Sequence, residues 1–122
     1  MKWRAVILGV AIVTAAAPIR ANDRLALKVS PTVSFAPANL VVRTTVEANA
    51  ENRSIEVVAE SEDFYRSSEM PLEGDRAPRT TLFEFRSLPT GSYQVRATLR
   101  GVSGKELAST QLQINVVGTD SF

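Results

Sequence analysis

The chain contains no cysteine and no histidine. Lacking cysteine, it has no disulfide to staple a small fold and no thiol nucleophile. Lacking histidine, it has no imidazole to activate a serine, and the two absences together remove every Cys/His zinc set. Charge of one sign is also missing: 14 Lys and Arg stand against 13 Asp and Glu, a net +1. That balance carries no signature of nucleic-acid or other polyanion binding. No glycine-rich phosphate loop is present, and neither Lys28 nor Lys105 stands in a Ser-x-x-Lys arrangement. What remains is a chain of 122 residues, 44% of them hydrophobic, enough for one modest core and one domain.

The first 21 residues read as a secretory signal. Lys2 and Arg4 form a basic start, and Ala5 to Thr14 is an apolar run too short to cross a bilayer as a permanent helix. Cleavage after Ala17 would leave Pro18 at the new terminus, which disfavours it. Cleavage after Ala21 is the expected site, giving residues 1–21 as signal and 22–122 as the domain, with an uncleaved anchor as the alternative. Removal of Lys2, Arg4 and Arg20 leaves 11 basic against 13 acidic residues, a charge of −2, and takes away Trp3, the one tryptophan. No cysteine offers a lipid attachment point, and the ending Val117 to Phe122 is no apolar anchor. The expectation is a soluble, exported protein of the periplasm or extracellular space, held by packing alone.

Beyond the signal the dominant hydrophobic period is two. Tyr93, Val95, Ala97 and Leu99 alternate with Gln94, Arg96, Thr98 and Arg100; Ala108, Thr110, Leu112, Ile114 and Val116 alternate with Ser109, Gln111, Gln113 and Asn115. Gly101 to Glu106 supplies the turn of a hairpin between them. Leu40, Val42, Thr44 and Val46 mark another strand, Ile55, Val57 and Ala59 the next, and Phe83 with Phe85 share a face of Thr80 to Ser87. At the start Leu25, Leu27 and Val29 precede Pro31, and Val33 to Phe35 precede Pro37, the pattern of an edge strand that switches sheets or stops pairing there. Tyr65 to Leu72 is the weakest element, a short edge strand. About seven antiparallel strands with regular turn signals predict an all-β sandwich.

The segment Leu88-Pro89-Thr90-Gly91-Ser92-Tyr93-Gln94-Val95 resembles the tyrosine corner of immunoglobulin-like and fibronectin type III-like domains. The resemblance implies that Leu88 plugs the end of the core, Gly91 takes an unusual turn dihedral, and the Tyr93 hydroxyl returns to the preceding backbone. The antibody-type Cys pair and core Trp are missing, so the likeness is to the disulfide-free bacterial kind. The same Leu-Pro-x-Gly-x-Tyr pattern is similar to that of transthyretin-like (carboxypeptidase regulatory-like) domains, the runner-up. Neither family implies one activity.

Candidate chemistry is sparse. Carboxylate pairs for acid–base work can be drawn from Glu60, Glu62 and Asp63 or from Glu69, Glu73 and Asp75. Such pairs need a substrate cleft, and a domain of roughly 100 residues has little chain left to build one. Glu73-Gly74-Asp75 is the best calcium-like fragment, but it lacks the carboxylate spacing of known loops and has Arg76 and Arg79 beside it. No catalytic residue, metal site or cofactor is therefore expected. Asn52-Arg53-Ser54 matches the glycosylation pattern, a coincidence outside a eukaryotic secretory route.

Recognition surfaces are the better candidates. The polar face of the last hairpin would gather Gln94, Arg96, Thr98, Arg100, Gln111, Gln113 and Asn115, with guanidiniums suited to a protein partner's carboxylates. Phe64 and Tyr65 are adjacent, so one of them should face outward and could stack on a sugar. Phe83, Phe85, Tyr93 and Phe35 are expected in the core. The reading is a non-enzymatic module binding an envelope or extracellular protein. The alternatives are a carbohydrate-binding accessory of a polysaccharide-processing system and a structural spacer of a surface assembly.

Overall fold

The computed structural model describes residues 24–118, and the signal-like segment and Phe122 lie outside them. Eight strands follow one another: β1 (Leu25–Ser30), β2 (Val33–Phe35), β3 (Ala38–Val46), β4 (Ser54–Glu60), β5 (Tyr65–Pro71), β6 (Thr80–Leu88), β7 (Gly91–Arg100) and β8 (Glu106–Val117). They form two sheets, one of three strands in the order β1-β3-β6 and one of five in the order β2-β8-β7-β4-β5. Every neighbouring pair is antiparallel except β2 with β8. No helix among the described residues is long and apolar enough to cross a membrane.

The strand count departs from the seven expected because Pro31 divides the first run. A proline can neither donate to a ladder nor continue a central strand. β1 accordingly pairs with β3 in the three-stranded sheet, and the chain then crosses so that β2 pairs with β8 in the other. Phe35 is a second departure. It is 65% exposed rather than in the core, because β2 places Val33 and Phe35 opposite Asn115 and Val117, on the outward side of β8.

The core lies between the sheets and follows the period-two reading. Ala38, Leu40, Val42, Thr44 and Val46 of β3 are buried, as are Ile55, Val57 and Ala59 of β4 and Tyr93, Val95, Ala97 and Leu99 of β7. Thr44 is tolerated there because its hydroxyl donates to the Thr81 carbonyl at 3.2 Å. Two register shifts interrupt the ladders, one between β3 and β6 and one between Leu99 and Arg100 where β7 meets β8. In β6 an extra residue falls between Phe85, opposite Leu40, and Leu88, opposite Ala38. Ser87 takes a φ of 59°, and its N–H donates to Asn39 Oδ1 at 3.0 Å. The extra residue lets both Phe85 and Leu88 point inward.

Candidate functional site

The Leu88–Tyr93 segment closes one end of the core. Leu88 and Tyr93 are fully buried, and the Tyr93 hydroxyl donates to the Pro89 carbonyl at 2.6 Å, so a buried phenol keeps its polar end satisfied. Burial pushes the Tyr93 hydroxyl above its ordinary pKa, while the Ser61 hydroxyl and the Arg66 charge pull it down. Gly91, expected to take an unusual turn dihedral, has no positive φ; the nearby residue that does is Ser87. Glycine stands at 91 for space, since a Cβ there would meet Ser61 Cβ at 3.2 Å and Tyr93 Cε1 at 3.4 Å.

Phe64 and Tyr65 separate as adjacent residues should. Phe64 is half-buried, its ring edge-on to Tyr93 at 6.1 Å and capped by the Arg66 guanidinium 5.0 Å from its centroid. Arg66 also donates to the Arg86 carbonyl at 2.9 Å, which ties β5 to the free edge of β6. Phe64 is thus occupied within the domain, whereas Tyr65 is 59% exposed.

The hairpin face spans β7 and β8, which pair Gln94 with Gln113, Arg96 with Gln111 and Thr98 with Ser109. β4 runs along the other side of β7, setting Glu60, Val58 and Glu56 opposite Gln94, Arg96 and Thr98. Gln94, Gln111, Gln113 and Asn115 are exposed and Arg96 is half-exposed. Thr98, expected on this face as a contact residue, is instead buried at 6% exposure, flanked by Glu56 and Ser109 in the middle of the five-stranded sheet. Arg100 is committed inside the domain, bonded to Glu56 at 3.1 Å and to the Gly104 carbonyl at 3.3 Å. Gln113 donates to the Ser92 hydroxyl at 2.7 Å. None of the three ion pairs among the described residues involves Arg96.

The alternation of a single hairpin could not show what lies at this face's margins. Val33 and Phe35 of β2, exposed by 61% and 65%, adjoin Asn115 and Val117. The outer face therefore runs from an apolar rim, through the amides and Arg96, to Glu60 and Tyr65. The bracketing prolines were the signal for this rim, because a three-residue strand between them cannot be central.

The carboxylates do not converge. Glu62 and Asp63 line a depression of about 150 Å³ in the β4–β5 turn with Ser61, Thr90, Gly91 and Ser92. Glu73 and Asp75 share theirs with Arg53 and Arg76, and Glu69 lies within β5. Among the described residues no three acidic side chains are placed to hold a metal ion. Asn52 is fully buried, with its amide donating to the Glu47 carbonyl at 3.0 Å, so the folded domain offers no glycan acceptor there.

No protein-family model matches the sequence, and no curated protein matches it. The fold itself has clear likenesses. A superoxide reductase (neelaredoxin) from Ignicoccus hospitalis superposes with a TM-score of 0.61 at 17% identity, over 75% of this chain and 79% of that one. A family 76 glycoside hydrolase from a bovine Bacteroides thetaiotaomicron strain gives 0.54 at 16%, over 75% of this chain and 20% of that one. The sporulation control protein Spo0M from Bacillus subtilis gives 0.50 at 15%, over 79% and 49%. At these identities the likeness is one of fold, and it carries no activity across.

Proposed function

We propose that the chain is an exported, non-enzymatic recognition domain of immunoglobulin-like, fibronectin type III-like architecture. In this reading a signal peptide of residues 1–21 is removed and residues 22–122 form the domain. The strand order supports the architecture. β1, β3 and β6 occupy the places of strands A, B and E, and β8, β7, β4 and β5 those of G, F, C and C′. The Tyr93–Pro89 hydrogen bond is of the kind a tyrosine corner makes.

The domain binds a protein partner in the envelope or extracellular space through the outer face of the five-stranded sheet. The observation that carries this is the exposure of Phe35 and Val33 on the same face as Arg96, which pairs with no carboxylate among the described residues. An exposed aromatic and an arginine are the residue types that protein interfaces favour. Phe35→Glu and Arg96→Glu, each compared with Lys28→Glu on the opposite sheet, test the reading. Capture of the partner from the host's envelope extract is expected to be lost with the first two and retained with the third. Equal capture by all three folded variants would remove this face from consideration.

Tyr65 favours a second reading. Its exposed ring at the far margin of the same face offers one stacking platform for a sugar, without the second ring that Phe64 would have supplied. Retention on envelope glycan abolished by Tyr65→Ala and untouched by Phe35→Glu would favour this reading over the first.

A further inference from the structure

The four sheet edges are not equally protected. On one side of the molecule β1 hands the chain across to β2, which is three residues long and lies between prolines. On the other side, β6 has a carbonyl of its free edge covered by the Arg66 guanidinium. Among the described residues no side chain covers the free edge of β5 in this way. The strand runs seven residues without a bulge, and every residue of it is exposed.

The free groups of that edge can be assigned. Phe64 accepts from the Ser61 N–H and Leu72 donates to the Arg53 carbonyl, both at 2.8 Å and both toward β4. Backbone groups alternate sides along an antiparallel strand. Residues 64, 66, 68, 70 and 72 therefore bond to β4, and Tyr65, Ser67 and Glu69 turn their N–H and C=O groups outward. Pro71 falls in the outward set, where its missing N–H costs β4 nothing. The charges that usually guard an edge are few. Arg66 is folded back onto Phe64 and Arg86, and the centre is Ser67-Ser68.

We propose that β5 is a self-pairing edge, joining two copies of this chain in antiparallel register about Ser67 into a continuous ten-stranded sheet built from two sheets of five. In that register Ser67 meets Ser67, and Tyr65 meets the second copy's Glu69 and the reverse, each pair exchanging both of its backbone bonds. An axis at Arg66 or Glu69 would oppose like charges, and one at Ser68 would set Tyr65 against Pro71, which has no N–H to give. The Ser67 axis alone satisfies all the outward groups of Tyr65, Ser67 and Glu69. It also brings Met70, 40% exposed, opposite the second copy's Phe64, a favourable sulfur–aromatic pairing. The twofold axis stands perpendicular to the sheet, so the outer faces of both copies look the same way. The pairing does not depend on the function proposed above; where both hold, two recognition faces act as one bivalent surface.

The absence of cysteine makes the test unambiguous, because a single introduced cysteine can form a disulfide only with a second copy. The full chain carrying Ser67→Cys is oxidised beside one carrying Leu82→Cys, an exposed site on the other sheet. Facing residues in such a pair have Cα atoms about 5.5 Å apart, within disulfide range. Ser67→Cys is expected to give a covalent dimer at least tenfold faster than Leu82→Cys. Sedimentation equilibrium is expected to show a dimer for the parent chain and loss of that dimer in Ser67→Pro, which removes an outward N–H and none that bonds to β4. Equal crosslinking rates, a monomeric parent chain, or a dimer undisturbed by Ser67→Pro would each overturn the proposal.

Discussion

β3 and β5 are both regular strands, yet β3 buries five of its nine residues in strict alternation and β5 buries none. The difference is one of position, not of intrinsic strand preference. β3 is the middle strand of the smaller sheet, and its inward side chains belong to one core with those of β4 and β7. β5 is the fifth strand of a sheet that faces only three, and none of its residues joins the core. Where two unequal sheets pack together, alternation records the covering layer, and the overhanging strand keeps only its backbone to declare it.

The contrast in stability is largest at the centre of the core. Phe85→Ala empties a site 2% exposed and is expected to cost about 3–5 kcal/mol, while Ser68→Ala on β5 should stay within about 0.5 kcal/mol. Urea unfolding of both variants measures the contrast, and similar losses would contradict the picture of an overhanging β5. Gly91→Ala tests the closed end of the core. With Ser61 and the Tyr93 ring only 3.2–3.4 Å from the added carbon, overpacking should cost about 1–3 kcal/mol in the same assay.

Tyr93→Phe removes one hydroxyl and the hydrogen bond to Pro89, an expected loss of about 0.5–1.5 kcal/mol. The pH dependence has a definite sign. Burial raises the folded-state pKa of Tyr93, so its contribution is complete below the unfolded tyrosine value of about 10 and is lost as pH rises through the folded value. Thermal melts from pH 8 to 11 should show an alkaline decline in the parent chain that is smaller in Tyr93→Phe. The smallest effect is expected on the outer face of the three-stranded sheet, where Lys28 lies directly opposite Arg43. Replacing that like-charge pair through Lys28→Glu should stabilise the domain by about 0.2–1 kcal/mol, and the gain should shrink in high salt.

The same contrast explains what the amino-acid sequence could reveal. The inward faces of β3, β4 and β7 were legible because one side of each is covered, and the end of β1 was legible because proline stops a ladder. The bulge at Ser87 was hidden, since a one-residue slip leaves Phe83, Phe85 and Leu88 all apolar and only the register tells them apart. Phe35 was misplaced because three residues carry no period long enough to assign a face. The candidate surface was read from one hairpin, so Arg96 and the amides could be named but their lateral neighbours could not. Glu56, which occupies Arg100, comes from a strand 44 residues earlier, and Val33 and Phe35 come from the far end of the domain. Thr98 shows the same gap: its alternation marks it as outward, while its burial depends on the flanking strands.

The proposed working surface is the outer face of the five-stranded sheet. Photo-reactive side chains installed singly at positions 35, 96, 28 and 82, followed by crosslinking in the host's envelope extract, test it most directly. The same protein adduct is expected from positions 35 and 96 and none from 28 and 82, which lie on the opposite sheet. Adducts from 28 and 82, with none from 35 and 96, would contradict this placement of the surface.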